Sequence, residues 1–90
     1  MKDIKELLTE AKSKKTIFSI DDFFQATEYL ETYYKEFPEE KGQYPNWGEL
    51  DNYFDNPKLT DALCYNWDKY ENDPVIQLIN KYTEIFYMNK

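Results

Sequence analysis

Two Asx–Pro pairs, Asn56-Pro57 and Asp73-Pro74, constrain this chain more than any other feature. In each, a side chain able to cap a helix stands directly before a proline, whose missing N–H costs nothing at the first helical position. Apolar residues downstream of each pair recur at helical spacing. After the first pair come Leu59, Ala62, Leu63, Asn66 or Trp67, and Tyr70; after the second come Val75 or Ile76, Ile79, Tyr82 or Thr83, and Phe86. With two glycines and no cleanly alternating run, the chain offers little from which to build a sheet.

The upstream half carries the same kind of punctuation. Asp3 can cap a helix running to about Lys14, with Ile4, Leu7, Leu8 and Ala11 as its apolar stripe. Lys12, Lys14 and Lys15 then suit the negative end of its dipole. Thr16-Ile17-Phe18 reads as a short extended link. Ser19 and Asp22 have capping-box spacing, and Ile20, Phe23, Thr27, Leu30, Tyr34 and Phe37 line one face of the next helix. Pro38 ends it, and residues 39–45 read as a loop. Asn46 and Glu49 open a short helix through Trp47, Leu50, Tyr53 and Phe54. The expectation is an all-α fold: one domain, residues 1–90, built as a small bundle of four to five short helices.

A chain of 90 residues has a thin core, but an aromatic fraction of 19% gives it large side chains to bury. The single cysteine, Cys64, cannot form an intramolecular bridge, which points to a reducing compartment. The stretch from Met1 to Leu8 has no apolar run of signal-peptide length, and nothing approaches a membrane span. A cytoplasmic protein is expected.

Histidine is absent and all 11 basic residues are lysine. The commonest general base and metal ligand is therefore missing, as is the bidentate fork that reads phosphate and guanine. An AT-rich genome favours the same bias. Asp21 with Asp22 and Glu39 with Glu40 are sequence neighbours in settings that promise little burial, and Asp51 and Asp55 lack the pattern of a calcium loop. Cys64, with no histidine to activate it, reads as a small core residue. No catalytic residue, metal or cofactor is expected.

Charge is unevenly spread. Residues 16–56 hold two lysines against ten acids, a net of -8 in a chain whose total is -7. On the second helix Asp22, Ala26, Tyr29, Tyr33 and Glu36 share one side, and the next segment adds Glu39, Glu40, Tyr44 and Trp47. Carboxylates steer and pair with Lys or Arg, while rings supply contact area and accept cations on their faces. Asp22, Tyr29, Tyr33, Glu36, Glu39, Glu40, Tyr44 and Trp47 are thus the candidate partner-binding residues. The same pattern also describes an ordinary solvated face of an acidic protein, and Trp47 and Trp67 fit either core or contact roles. Direct nucleic-acid binding is not expected, since phosphate calls for a basic patch.

The stretch Tyr44-Pro45-Asn46-Trp47-Gly48-Glu49-Leu50-Asp51-Asn52-Tyr53-Phe54-Asp55 resembles, with a gap after Glu49, the aromatic-Gly-Leu-Asp stretch of barstar-type ribonuclease inhibitors. That family supplies strands where the last third of this chain reads as helices. The resemblance therefore implies neither a fold nor residue roles, only how acids and rings can block a basic active site.

Two functions are expected from these features. One is a non-enzymatic acidic inhibitor or immunity-type protein of phage or mobile-element style, an anti-defence protein or DNA mimic that blocks a basic surface of a nuclease or nucleic-acid-binding protein. The genomic part of that expectation is association. The other is a structural or regulatory interaction module, a homodimer or assembly adaptor. It would act through the C-terminal helix, where Tyr82-Thr83-Glu84-Ile85-Phe86-Tyr87-Met88 is apolar on more than one side.

Overall fold

Four of the helices begin where a local side chain satisfies one of their first free N–H groups. Asp3 accepts the Glu6 backbone N–H at 2.9 Å and starts α1, Ile4–Ser13. Ser19 and Asp22 close a reciprocal capping box at the start of α2, Ile20–Glu36. Asn56 accepts from the Leu59 N–H and opens α3, Pro57–Thr60. Asp73 accepts from the Val75 N–H and opens α5, Pro74–Thr83. The computed structural model describes residues 3–88 and is all-α, with no strand among them. Lys2 and Lys90, which enter the charge tally, and the first two residues of the signal-peptide reading lie outside the described residues.

Four elements depart from the sequence pattern. The segment Trp47–Asn52 winds as a 3₁₀ helix, capped by Asn46, whose Oδ1 accepts from the Gly48 N–H. The helix expected from Pro57 to Tyr70 breaks in two: α3 runs into a π turn, Asp61–Tyr65, before α4, Trp67–Tyr70. The Asn66 N–H reaches back five residues to the Asp61 carbonyl at 2.7 Å, and the Asn66 amide donates to the Asp61 carboxylate at 2.6 Å. The wider turn keeps Ala62 and Leu63 in the core and turns Tyr65 and Trp67 outward. A second π turn, Glu84–Met88, comes after α5. After α2, Pro38–Glu40 makes one 3₁₀ turn.

Helix α5 is packed against both α1 and α2. Val75, Ile76, Leu78 and Ile79 are fully covered, so its apolar surface on several sides is spent inside the molecule. Helix α2 is wider in its burial than the expected stripe. Phe23, Leu30 and Tyr34 are buried as expected, but so are Ala26, Tyr29 and Tyr33, while Phe37 is exposed. Among the described residues no helix is long and apolar enough to cross a membrane.

The link 16–18 bends at Ile17 and Phe18 and belongs to no strand. Asp73 holds it instead: one carboxylate oxygen accepts the Ile17 N–H at 2.7 Å, the other the Val75 N–H at 2.9 Å. This side chain is buried and joins the end of α1 to the start of α5. Replacing Asp73 by Ala removes both charge-assisted bonds and should lower unfolding free energy by about 2–3 kcal/mol. Asp73→Asn, which keeps one acceptor oxygen, should lose about half as much; urea unfolding of the two variants checks the ratio.

Candidate partner-binding surface

The rings nominated from sequence are mostly inside. Tyr29 is fully covered: its ring lies 5.5 Å from Trp47, 5.8 Å from Tyr33 and 5.4 Å from Tyr53. Its hydroxyl donates to the Asn46 backbone carbonyl. Trp47 is 2% exposed and Tyr33 7%. This burial corrects the expectation that Tyr29, Tyr33 and Trp47 face a partner. Tyrosine and tryptophan carry enough apolar area to be drawn into a small core once the hydroxyl finds an acceptor. Trp67, by contrast, is exposed.

Asp22 is also occupied structurally. One of its oxygens accepts the Ser19 N–H at 2.8 Å and the other accepts the Asn56 amide at 2.8 Å, tying the start of α2 to the start of α3. Tyr44 is exposed, but its hydroxyl donates to Asn80 Oδ1 on α5 at 3.0 Å, which sets it apart from the α2 acids. Glu39 is exposed on the 3₁₀ turn after α2.

Glu36 and Glu40 do come together. With Glu49 they line a concavity of about 360 Å³ whose remaining wall is Tyr33, Phe37, Asn46 and Tyr53. The Tyr53 hydroxyl donates to Glu36 Oε2 at 3.0 Å, bridging the 3₁₀ segment to the end of α2. Glu49 Oε2 takes the Asn52 amide. Among the described residues no lysine contributes to the wall. Glu49, Tyr53 and Phe37 are not among the sequence candidates, because helical spacing puts each on a capping position or an inner face. The 3₁₀ winding of Trp47–Asn52 and the break at Pro38 turn Tyr53 and Phe37 outward.

No known protein family, curated protein or solved structure matches the chain. The resemblance of residues 44–55 to ribonuclease inhibitors therefore stands on those residues alone. Pro57–Thr60, Asp61–Tyr65, Trp67–Tyr70 and Pro74–Thr83 are helical where that family has strands. Among the described residues no three acidic or cysteine side chains gather to hold a metal ion, and Asp51 is taken by the Thr60 hydroxyl at 2.7 Å.

Tyr29, Tyr34 and Tyr53 are hard to ionise. Burial, followed by the neighbouring Tyr33 and Glu49, pushes the Tyr29 hydroxyl well above its ordinary value of 10. Burial, then Tyr33 and Glu40, pushes Tyr34 up to about 12. Tyr53 is raised first by its hydrogen bond to Glu36. A raised native pKa means that the neutral phenol is favoured in the folded state. Its contribution is complete below about pH 10, where unfolded tyrosine is still protonated, and is lost as pH climbs through the native value. The urea midpoint should accordingly hold steady up to about pH 10 and fall toward pH 12. Tyrosinate absorbance should show Tyr29 and Tyr34 ionising only as the chain unfolds.

Proposed function

We propose that this protein is a non-enzymatic acidic inhibitor that binds a basic surface of a nuclease or nucleic-acid-binding protein. The observation that carries the reading is the concavity in which Glu36, Glu40 and Glu49 meet the rings of Phe37 and Tyr53 without a lysine among them. A lysine or arginine of the partner enters this hollow, pairs with the carboxylates and lies against a ring face. The net charge of -7 speeds the encounter. Carboxylates then stand where the partner would hold phosphates, which blocks nucleic acid without any bond being broken.

The test begins with capture on the immobilised protein from a lysate of a low-GC bacterium, at low and then raised salt. A retained basic nuclease whose activity is blocked by stoichiometric protein is the expected result. Against that partner, the triple variant Glu36→Gln, Glu40→Gln, Glu49→Gln should associate about tenfold more slowly at low salt, with a flatter salt dependence. Unchanged affinity and salt slope in the triple variant would sink the proposal.

A second reading, a module that associates through apolar surface, is favoured by one observation. Phe24 and Phe86 are 57% and 53% exposed, and the rings of Phe23 and Tyr82 connect them into one strip. Such a strip serves a homodimer or assembly seam. On this reading the protein sediments as a dimer and the pair Phe24→Ser, Phe86→Ser returns it to a monomer. A wild-type chain that stays monomeric as its concentration rises removes the homodimer version.

A further inference from the structure

A second cavity, of about 440 Å³, opens between residues 44–47, the π turn Asp61–Tyr65 and α5. Among the described residues no charged side chain lines it. Its walls include the rings of Tyr44, Trp47 and Trp67, the side chains of Leu63 and Cys64, and the Asn80 amide. In a chain with 32% charged residues, an uncharged wall of this size is a selective feature. Its volume falls in the range of roughly 300–1,000 Å³ common to small-molecule sites.

A separate observation concerns the indole of Trp47. The residue is 2% exposed, yet its Nε1–H has no hydrogen-bond partner, alone among the buried side-chain nitrogens and oxygens of the described residues. The Tyr44 hydroxyl stands close enough to feel this N–H but does not meet hydrogen-bond geometry with it, and gives its own proton to Asn80. An indole N–H can only donate. Leaving a buried donor unpaired is unfavourable, and an acceptor brought from outside would relieve it. For an acceptor to reach it the Tyr44 ring has to shift, and that ring is 51% exposed and lies on the segment between α2 and the 3₁₀ helix.

We infer that this cavity binds a small, neutral, flat heteroaromatic molecule carrying a hydrogen-bond acceptor, stacked on Trp67 and Tyr44 with its acceptor on Trp47 Nε1–H. The uncharged wall selects neutrality, the rings select a flat π system, and the unpaired donor selects the acceptor. The site is independent of the acidic concavity, although Asn46 contributes to the walls of both.

Quinoline and naphthalene have the same shape and differ in one ring nitrogen, so the pair isolates the acceptor. The chain has two tryptophans, hence two indole N–H resonances in the ¹⁵N-labelled protein, and Trp67→Ala assigns the one from Trp47. Quinoline should move the Trp47 N–H resonance downfield, slow alkylation of Cys64, the one cysteine, and bind about tenfold tighter than naphthalene. Trp67→Ala, at an exposed position, should weaken quinoline several-fold with little change in melting temperature. Trp47→Phe, where it folds, should bring quinoline down to the affinity of naphthalene; if it does not fold, the wild-type resonance decides. A Trp47 resonance unmoved up to the solubility limit of quinoline, or equal binding of the two molecules, overturns the inference.

Discussion

Helix α2 carries more apolar surface than one neighbour can cover, and the rest of the molecule is arranged around that excess. On one side Phe23 meets Tyr82 and Tyr34 stacks on Tyr87, at ring distances of 5.6 Å and 4.7 Å, so the C-terminal end of the chain serves as one cover. On the other, Tyr29 meets Trp47 and Tyr53, so the 3₁₀ segment serves as the second. A helix clad on two sides keeps a solvent face, on which Asp21, Glu28 and Glu31 lie exposed, while Asp22 is drawn into the contact with Asn56. The rings that gave the sequence its look of a sticky surface are the means by which a 90-residue chain closes a core without a disulfide.

Tyrosine is suited to this arrangement because it brings a donor with its ring. The hydroxyl of Tyr29 reaches the Asn46 carbonyl and that of Tyr34 reaches the Gln43 carbonyl at 2.6 Å, so α2 pins the adjoining loop by its backbone. From the opposite side the Gly42 N–H donates to the Tyr87 carbonyl at 2.8 Å. Gly42 has a φ of 96°, a left-handed conformation in which a side chain would be strained. Residues 42–46 thus have no regular structure of their own but are fastened from both covers. Phenylalanine at positions 29 and 34 would fill the same volume and leave two carbonyls without partners. The loop carries Asn46, which both cavities share, so their shapes are set by these hydroxyls.

The helix starts were legible because a cap is a local device. As caps, Asp3, Ser19, Asn56 and Asp73 each act on an N–H within three residues, and each does what its spacing implied. The face of α2 was not legible. Tyr29 and Tyr33 fit an outer polar face as well as an inner apolar one, and only the distant Trp47 decides between them. The π turn at Asp61–Tyr65 was hidden for a similar reason: Leu59, Ala62 and Leu63 keep helical spacing, and the extra residue shows only in where Tyr65 and Trp67 end up. At the candidate surface, Glu36 and Glu40 could be found because they flank one helix end. Glu49 and Tyr53 arrive by the path of a loop, which no local pattern records.

The acids themselves run against the local physics of the fold. Glu36 closes α2, and Glu39 and Glu40 come directly after it, so three carboxylates crowd the negative end of the longest helix among the described residues. Basic residues are favoured there by roughly 0.3–1 kcal/mol each through the helix dipole, and carboxylates are disfavoured by a similar amount. Lys35 offsets part of this, and the Tyr53 hydroxyl takes up one oxygen of Glu36. Glu49 then adds a further negative charge from another element. Helix α1 ends the opposite way, with Lys12 in its last turn and Lys14 paired to Glu10 at 2.8 Å. A chain that follows the dipole at one helix end and opposes it at another gains no stability from the second choice. Where a local rule is broken without a compensating gain inside the molecule, the compensation is sought outside it. A cation placed beside Glu36, Glu40 and Glu49 would relieve both the dipole and the mutual repulsion of the carboxylates, and this electrostatic excess is what the proposed function draws on.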